Sequence, residues 1–222
     1  MDYRKPKTSL NNIFIMLAIL VFVLILMFLF SKQKLRFPTI SSKLDEFKGD
    51  SAVINGTYYN RPFLFSISAP DSNWKFVYDS NIDSTFYVNS SPGSRKAIVT
   101  MNRLAKDDTI AVTTVELIQL SAQISPEKLA ALNLAQIKND YKENDEEVSV
   151  VADATAAGSG TLFGAFHVVE LPQKTKHQYP VWVTMFVVRS ELAYKILSRT
   201  KRNKYELLRS DLENILKSFR FL

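Results

Sequence analysis

The chain contains no cysteine in 222 residues. That excludes disulfides, thiolate catalysis and zinc-ribbon spacing, together with a lipobox anchor or S-palmitoylation. It does not name a compartment, because reducing and oxidising compartments both host cysteine-free proteins. Histidine is nearly as scarce, with only His167 and His177, so no histidine-rich metal site can be assembled. The six glycines form neither a P-loop nor a G-x-G-x-x-G fingerprint. Internal repeats and low-complexity runs are absent. The last absence is local: from Ile13 to Phe30 there is no polar or charged side chain.

That run, IFIMLAILVFVLILMFLF, sets the expected organisation. At about 1.5 Å per residue it spans roughly 27 Å, near the hydrocarbon thickness of a bilayer. A buried core helix keeps some polar positions. A cleaved signal peptide has a shorter apolar region, of about 7–15 residues, ending in small residues; here Ala18 is the only small residue in the run. The expectation is a single-pass signal anchor, with a short tail at residues 1–12, a transmembrane helix at 13–30, a linker at 31–50 and a folded domain at 51–222. The span carries no ionisable group and no small-xxx-small seam, so it offers no proton relay or tight-packing dimer motif. Arg4, Lys5 and Lys7 on one flank balance Lys32, Lys34 and Arg36 on the other, a tie under the positive-inside rule. A short leading tail usually stays cytoplasmic, which puts the domain on the extracytoplasmic (periplasmic) side. The linker, as a flexible coil of about twenty residues, reaches about 25 Å and keeps the domain near the membrane surface.

Charge is modest. The chain carries +6; three basic and one acidic residue fall in residues 1–30, so the remainder carries +4. This is far from the basic block of a nucleic-acid binder, and no nucleic-acid partner is expected.

From Ala52 onward the pattern predicts strands. Residues 52–59 and 63–68 flank Asn60-Arg61-Pro62 as a hairpin, with Phe63, Phe65 and Ile67 on one face. Pro70 and Asp71 end that strand, and Trp74, Phe76 and Tyr78 follow. Strands are expected at 85–88, 97–103 and 111–120, with Ser91-Pro92-Gly93 as a turn. Ser125 and Pro126 open a helix as N-cap and first residue; it runs to about Tyr141 with Ala130, Leu134 and Ile137 along its stripe. Four strands in a row are expected at 148–157, 162–171, 181–188 and 192–198, the third nearly continuous in apolar residues and hence central. A closing helix, 205–219, places Tyr205, Leu208, Leu212, Ile215, Leu216 and Phe219 on one face. The fold class is α+β, an antiparallel sheet with packed helices.

The chemistry-bearing residues make no catalytic constellation, so no enzymatic activity and no cofactor are expected. His167 sits in the apolar stretch Phe166-His167-Val168 and reads as a hydrogen-bonded structural histidine; His177, between Lys174, Lys176 and Tyr179, reads as a solvated one. Gly158-Ser159-Gly160 lacks the nucleophile-elbow pattern and reads as a hairpin turn. The acidic run Glu143, Asp145, Glu146, Glu147 lacks the spacing and glycine of a calcium loop. Asn55-Gly56-Thr57 and Asn89-Ser90-Ser91 match a glycosylation acceptor, relevant only in a eukaryotic secretory compartment.

One basic feature stands out. Arg199, Lys201, Arg202 and Lys204 precede the last helix. If the last four strands form a meander, Lys174 and Lys176 in the loop 172–178 lie at the same end of the sheet. Six cations gathered there would suit anionic lipid headgroups or an acidic partner surface.

The order of elements, with "FSISAPDSNWKF" at 65–76, "SPEKLAAL" mid-domain and the closing "DLENILKSFRF" at 211–221, resembles the PsbP/Mog-like α/β/α sandwich family, including the DcrB-type envelope domains. The resemblance covers residues 52–222 and rests on packing motifs, so it transfers no functional residue. It implies a non-enzymatic domain that binds other proteins. DcrB-type proteins are typically lipid-anchored, whereas this chain has an apolar span and no lipobox cysteine. The expected function is a membrane-anchored accessory or docking subunit of a larger membrane protein assembly. The alternative is a lipid- or small-ligand-binding envelope domain, for which an unfilled apolar cleft between sheet and helix is the expected sign.

Overall fold

A computed structural model describes residues 49–78, 91–106, 108–141, 147–157, 164–173 and 177–222, all within a unit spanning residues 46–222. The expected span at 13–30, the strand at 85–88, the turn at Gly158-Ser159-Gly160, most of the acidic run, and Lys174 and Lys176 lie outside the described residues. Among the described residues no helix is long and apolar enough to cross a membrane.

The domain opens on two short strands, β1 (Ser51–Ile54) and β2 (Thr57–Asn60). The sequence pattern predicts a single strand over 52–59, and the structure divides it. Asn55 and Gly56 both take positive φ, 49° and 74°, and Ile54 pairs with Thr57 across them. This is the two-residue hairpin turn that an Asn-Gly pair favours, because its backbone twist matches that of the strands. Strand β3 (Phe65–Ser68) pairs with β2. The final strand β11 (Arg220–Phe221) returns to the other side of β3. These make a small sheet in the order β1-β2-β3-β11.

The large sheet is antiparallel throughout. It comprises β4 (Trp74–Tyr78), β5 (Arg95–Ala105), β6 (Asp108–Gln119), β7 (Ser149–Ala157), β8 (Gly164–Glu170), β9 (Val181–Arg189) and β10 (Leu192–Thr200), in the order β4-β5-β6-β10-β9-β8-β7. The last four strands form the expected meander. The apolar β9 is interior as expected, but the middle position belongs to β10.

Helix α1 (Pro126–Asp140) starts as its cap predicts, with the Ser125 hydroxyl accepting from the Lys128 N–H. It packs on one face of the large sheet over β8 and β9. Helix α2 (Tyr205–Ser218) buries Leu208, Leu212, Ile215 and Leu216; together with the small sheet it covers the opposite face. On that side Trp74, Met101, Val115, Ile196, Leu212 and Ile215 are each 3% exposed or less. The space between sheet and helix is therefore filled by side chains.

An aromatic cluster locks the chain's end to both sheets. Phe219 stacks on Phe65 at 5.4 Å between ring centroids and packs against Tyr194 at 5.4 Å and Phe221 at 5.6 Å. The Tyr194 hydroxyl donates to the Phe63 carbonyl at 2.7 Å, which supplies the polar partner that a buried tyrosine needs.

Candidate functional site

Because β10 is antiparallel to both β6 and β9, its end at Thr200 meets the start of each, opposite Ala111 and Val181. The Thr200 hydroxyl and the Lys201 N–H both donate to the Ile110 carbonyl, at 3.0 and 3.4 Å. The Leu171 N–H donates to the Pro180 carbonyl at 2.9 Å, closing the base of the loop that carries Lys174 and Lys176.

The cations here have acidic neighbours. The Lys201 ammonium donates to the Asp108 carboxylate at 2.5 Å. The Arg202 guanidinium pairs with Glu170 and donates to the Leu171 carbonyl at 2.9 Å. These are exposed pairs, worth about 0–1 kcal/mol each, yet they leave a net charge of only +1 among the described cations at this end, Lys201, Arg202 and Lys204. Reading the cations along the sequence missed Asp108 and Glu170, which sit 93 and 32 residues away. Lys204 precedes α2, and its N–H donates to the Lys201 carbonyl.

Arg199 does not join this group. Strand alternation puts it on the opposite face from Thr200, the face that carries Lys195. Its Nε is buried and makes no hydrogen bond among the described residues. Lys195 itself is 7% exposed, with its ammonium 3.7 Å from the Glu116 carboxylate on β6. Burial lowers the Lys195 pKa; Glu116 opposes that, and Arg95 and Arg199 reinforce it. The sequence shows Lys195 only as one polar residue in an apolar strand, with nothing to mark its partner.

The two histidines are in different settings. His167 is buried on β8, opposite Asp153 and Thr184, with its ring 6.3 Å from Phe186. His177 is exposed but is not simply solvated: its Nε2 lies 2.6 Å from the Tyr141 hydroxyl, and its ring meets Trp182 edge-on at 6.1 Å. Desolvation and the Asp140 carboxylate push the Tyr141 phenol up, so it stays protonated at neutral pH. Among the described residues, no three His, Asp or Glu side chains converge as metal ligands.

One open cleft accompanies these charged features. It has a volume of about 560 Å³ and is lined by Val53 and Gly56 of the β1–β2 hairpin, by Ala69 after β3, and by Trp74, Phe76 and Tyr78 of β4.

The sequence matches no family model and no curated protein. The three-dimensional arrangement is similar to the solution structure of cyanobacterial PsbP (CyanoP) from Synechocystis, with a TM-score of 0.51 over 80% of this chain and 99% of that one. The fold is PsbP-like. At 11% identity the likeness is one of architecture, and it carries no residue across. A crystal structure from Bacteroides thetaiotaomicron aligns with a TM-score of 0.38 and 16% identity, over 79% of this chain and 49% of that one. The PsbP-like domain thus presents a filled interior, a partly neutralised basic end and an edge cleft.

Proposed function

We propose that this is a membrane-anchored, DcrB-type member of the PsbP-like fold group, acting as a non-enzymatic docking subunit of a membrane protein assembly. The observation that carries the reading is the filled sheet–helix interface, where Met101, Leu212 and Ile215 are fully buried. A ligand-binding role would need room there, so recognition falls to the surface. The apolar run at 13–30 holds the domain close to the bilayer. On this reading the domain meets an acidic partner surface with the end that bears Lys174, Lys176, Lys201, Arg202 and Lys204. The pairs Lys201–Asp108 and Arg202–Glu170 are exposed enough to exchange partners. Arg199 faces elsewhere and is left out of the docking set. Each cation near an anionic surface contributes about 1 kcal/mol, less at high salt.

Replacing Lys174, Lys176, Lys201 and Lys204 with glutamate is expected to leave folding intact, because exposed pairs stabilise little. It should abolish recovery of the assembly from mild detergent. If the folded quadruple variant recovers the same partners at physiological salt, docking lies elsewhere. The expected orientation has its own check. A single cysteine at the exposed Ser91 should react with an impermeant thiol reagent in intact cells; protection that persists until lysis would place the domain in the cytoplasm.

A further inference from the structure

We propose that the cleft beside β4 receives an extended segment of a partner protein, which adds to the edge of the large sheet as a further strand. This deepens the docking reading above and locates a second contact, away from the basic end.

The backbone sets the requirement. The Leu104 N–H donates to the Asn73 carbonyl at 3.2 Å. In an antiparallel pair, alternate residues exchange hydrogen bonds with a given neighbour. Lys75 and Val77, opposite Asn102 and Thr100, therefore direct their backbone groups to β5. Trp74, Phe76 and Tyr78 direct theirs outward, at the cleft. The Trp74 N–H is taken by the Asp71 carbonyl at 3.3 Å. The Trp74 carbonyl, both Phe76 groups and the Tyr78 N–H have no backbone partner among the described residues. Such a row is a template for another strand.

Natural edges are usually blunted by proline, by a bulge or by several charges. Strand β4 has no proline, keeps an unshifted register with β5 and carries one charge, Lys75. Val77 is 59% exposed and Tyr78 38%. Five residues at about 3.3 Å each make an edge of roughly 17 Å, and the cleft volume falls within the range of about 300–1,000 Å³ of recognition pockets. The β1–β2 hairpin also lines the cleft, so the space suits one strand and not the edge of a second sheet.

Side-chain alternation then specifies the occupant. One set of its residues meets Val53, Phe76 and Tyr78 and is apolar. The other set lies beside Lys75 and Val77, where a carboxylate forms a favourable cross-strand pair. The fitting partner is an extended segment with apolar residues at every second position and an acidic residue between them.

The test uses the full chain in mild detergent and a fluorescent hexapeptide, Thr-Val-Glu-Val-Thr-Val, read by polarisation. Saturable binding is expected. Phe76→Pro removes an outward N–H and a ring that lines the cleft without touching the β5 ladder, and should weaken binding at least tenfold, the scale of one lost hydrogen bond. Lys75→Glu should invert the preference, so that a peptide with lysine in place of glutamate binds better than the original. The Lys174, Lys176, Lys201 and Lys204 quadruple variant should bind the hexapeptide as the parent does, which separates this site from the basic end. No saturable binding, no inversion with Lys75→Glu, or loss of binding in the folded quadruple variant would each overturn the proposal.

Discussion

Phe219→Ala is expected to cost about 3–5 kcal/mol of folding stability, the range for truncating a fully buried phenylalanine. The side chain has no exposed surface and touches three other rings, on β3, β10 and β11. Loss of packing at that point loosens the end of α2 from both sheets, because Phe219 follows directly on its last turn. Against a typical total of about 5–15 kcal/mol, the loss is about a fifth or more. For a domain of this size it corresponds to a fall in Tm of about 6–20 °C. Phe221→Ala should cost clearly less, because that ring is only partly buried. Denaturant unfolding followed by tryptophan fluorescence reads both. Equal, small losses would mean that the cluster does not hold the chain's end.

The second large effect concerns Glu116 and Lys195. Glu116→Gln leaves a protonated amine in a site that is 7% exposed, with Arg95 and Arg199 the remaining charges acting on it. Removing one partner of a buried pair costs about 3–5 kcal/mol; Glu116 is a quarter exposed, which reduces the expectation to about 1–3 kcal/mol. The sign of its pH dependence follows from linkage. The folded-state pKa of Lys195 lies below the ordinary lysine value of 10.5, so below 10.5 the unfolded state binds more protons and stability rises with pH. The penalty is complete below the folded pKa and is relieved as pH climbs from there to 10.5. Without Glu116 the folded pKa falls further. The stability gap between Glu116→Gln and the parent should therefore narrow between neutral pH and about pH 10. Adding Lys195→Met to Glu116→Gln removes the stranded amine and keeps the packing, and should recover most of the loss. A gap that stays constant over this range would show that Glu116 acts by something other than its charge.

The Lys195 site and the basic end show why charge patterns are hard to read from the chain alone. A run of cations is visible in the sequence, but its field depends on which acids the strands bring alongside. Asp108 and Glu170 are far from Lys201 and Arg202 in sequence and adjacent only because β6 and β8 flank the ends of β10 and β9. Arg199 and Lys201 are two residues apart but separate at the strand's end: Arg199 keeps the face of Lys195, while Lys201 leaves the ladder to meet Asp108.

What the sequence determined by itself is what depends on local period and local chemistry. Short strand-forming runs, nearly continuous in apolar residues at β9, marked β5 to β10; the Ser125-Pro126 start marked α1; and the spacing from Tyr205 through Leu208, Leu212, Ile215 and Leu216 to Phe219 marked the packed face of α2. Each is set by side chains within a few residues of one another. The tertiary structure decided the rest. It split the first strand at Asn55-Gly56, where two positive φ angles turn the chain within two residues. It brought Arg220 and Phe221 back to β3 across a separation that no local signal spans. It buried Lys195 beside Glu116, filled the space beneath α2 and left the cleft open at β4. Those outcomes depend on which strands become neighbours, and pairing over long separations is decided by the summed burial of the whole core.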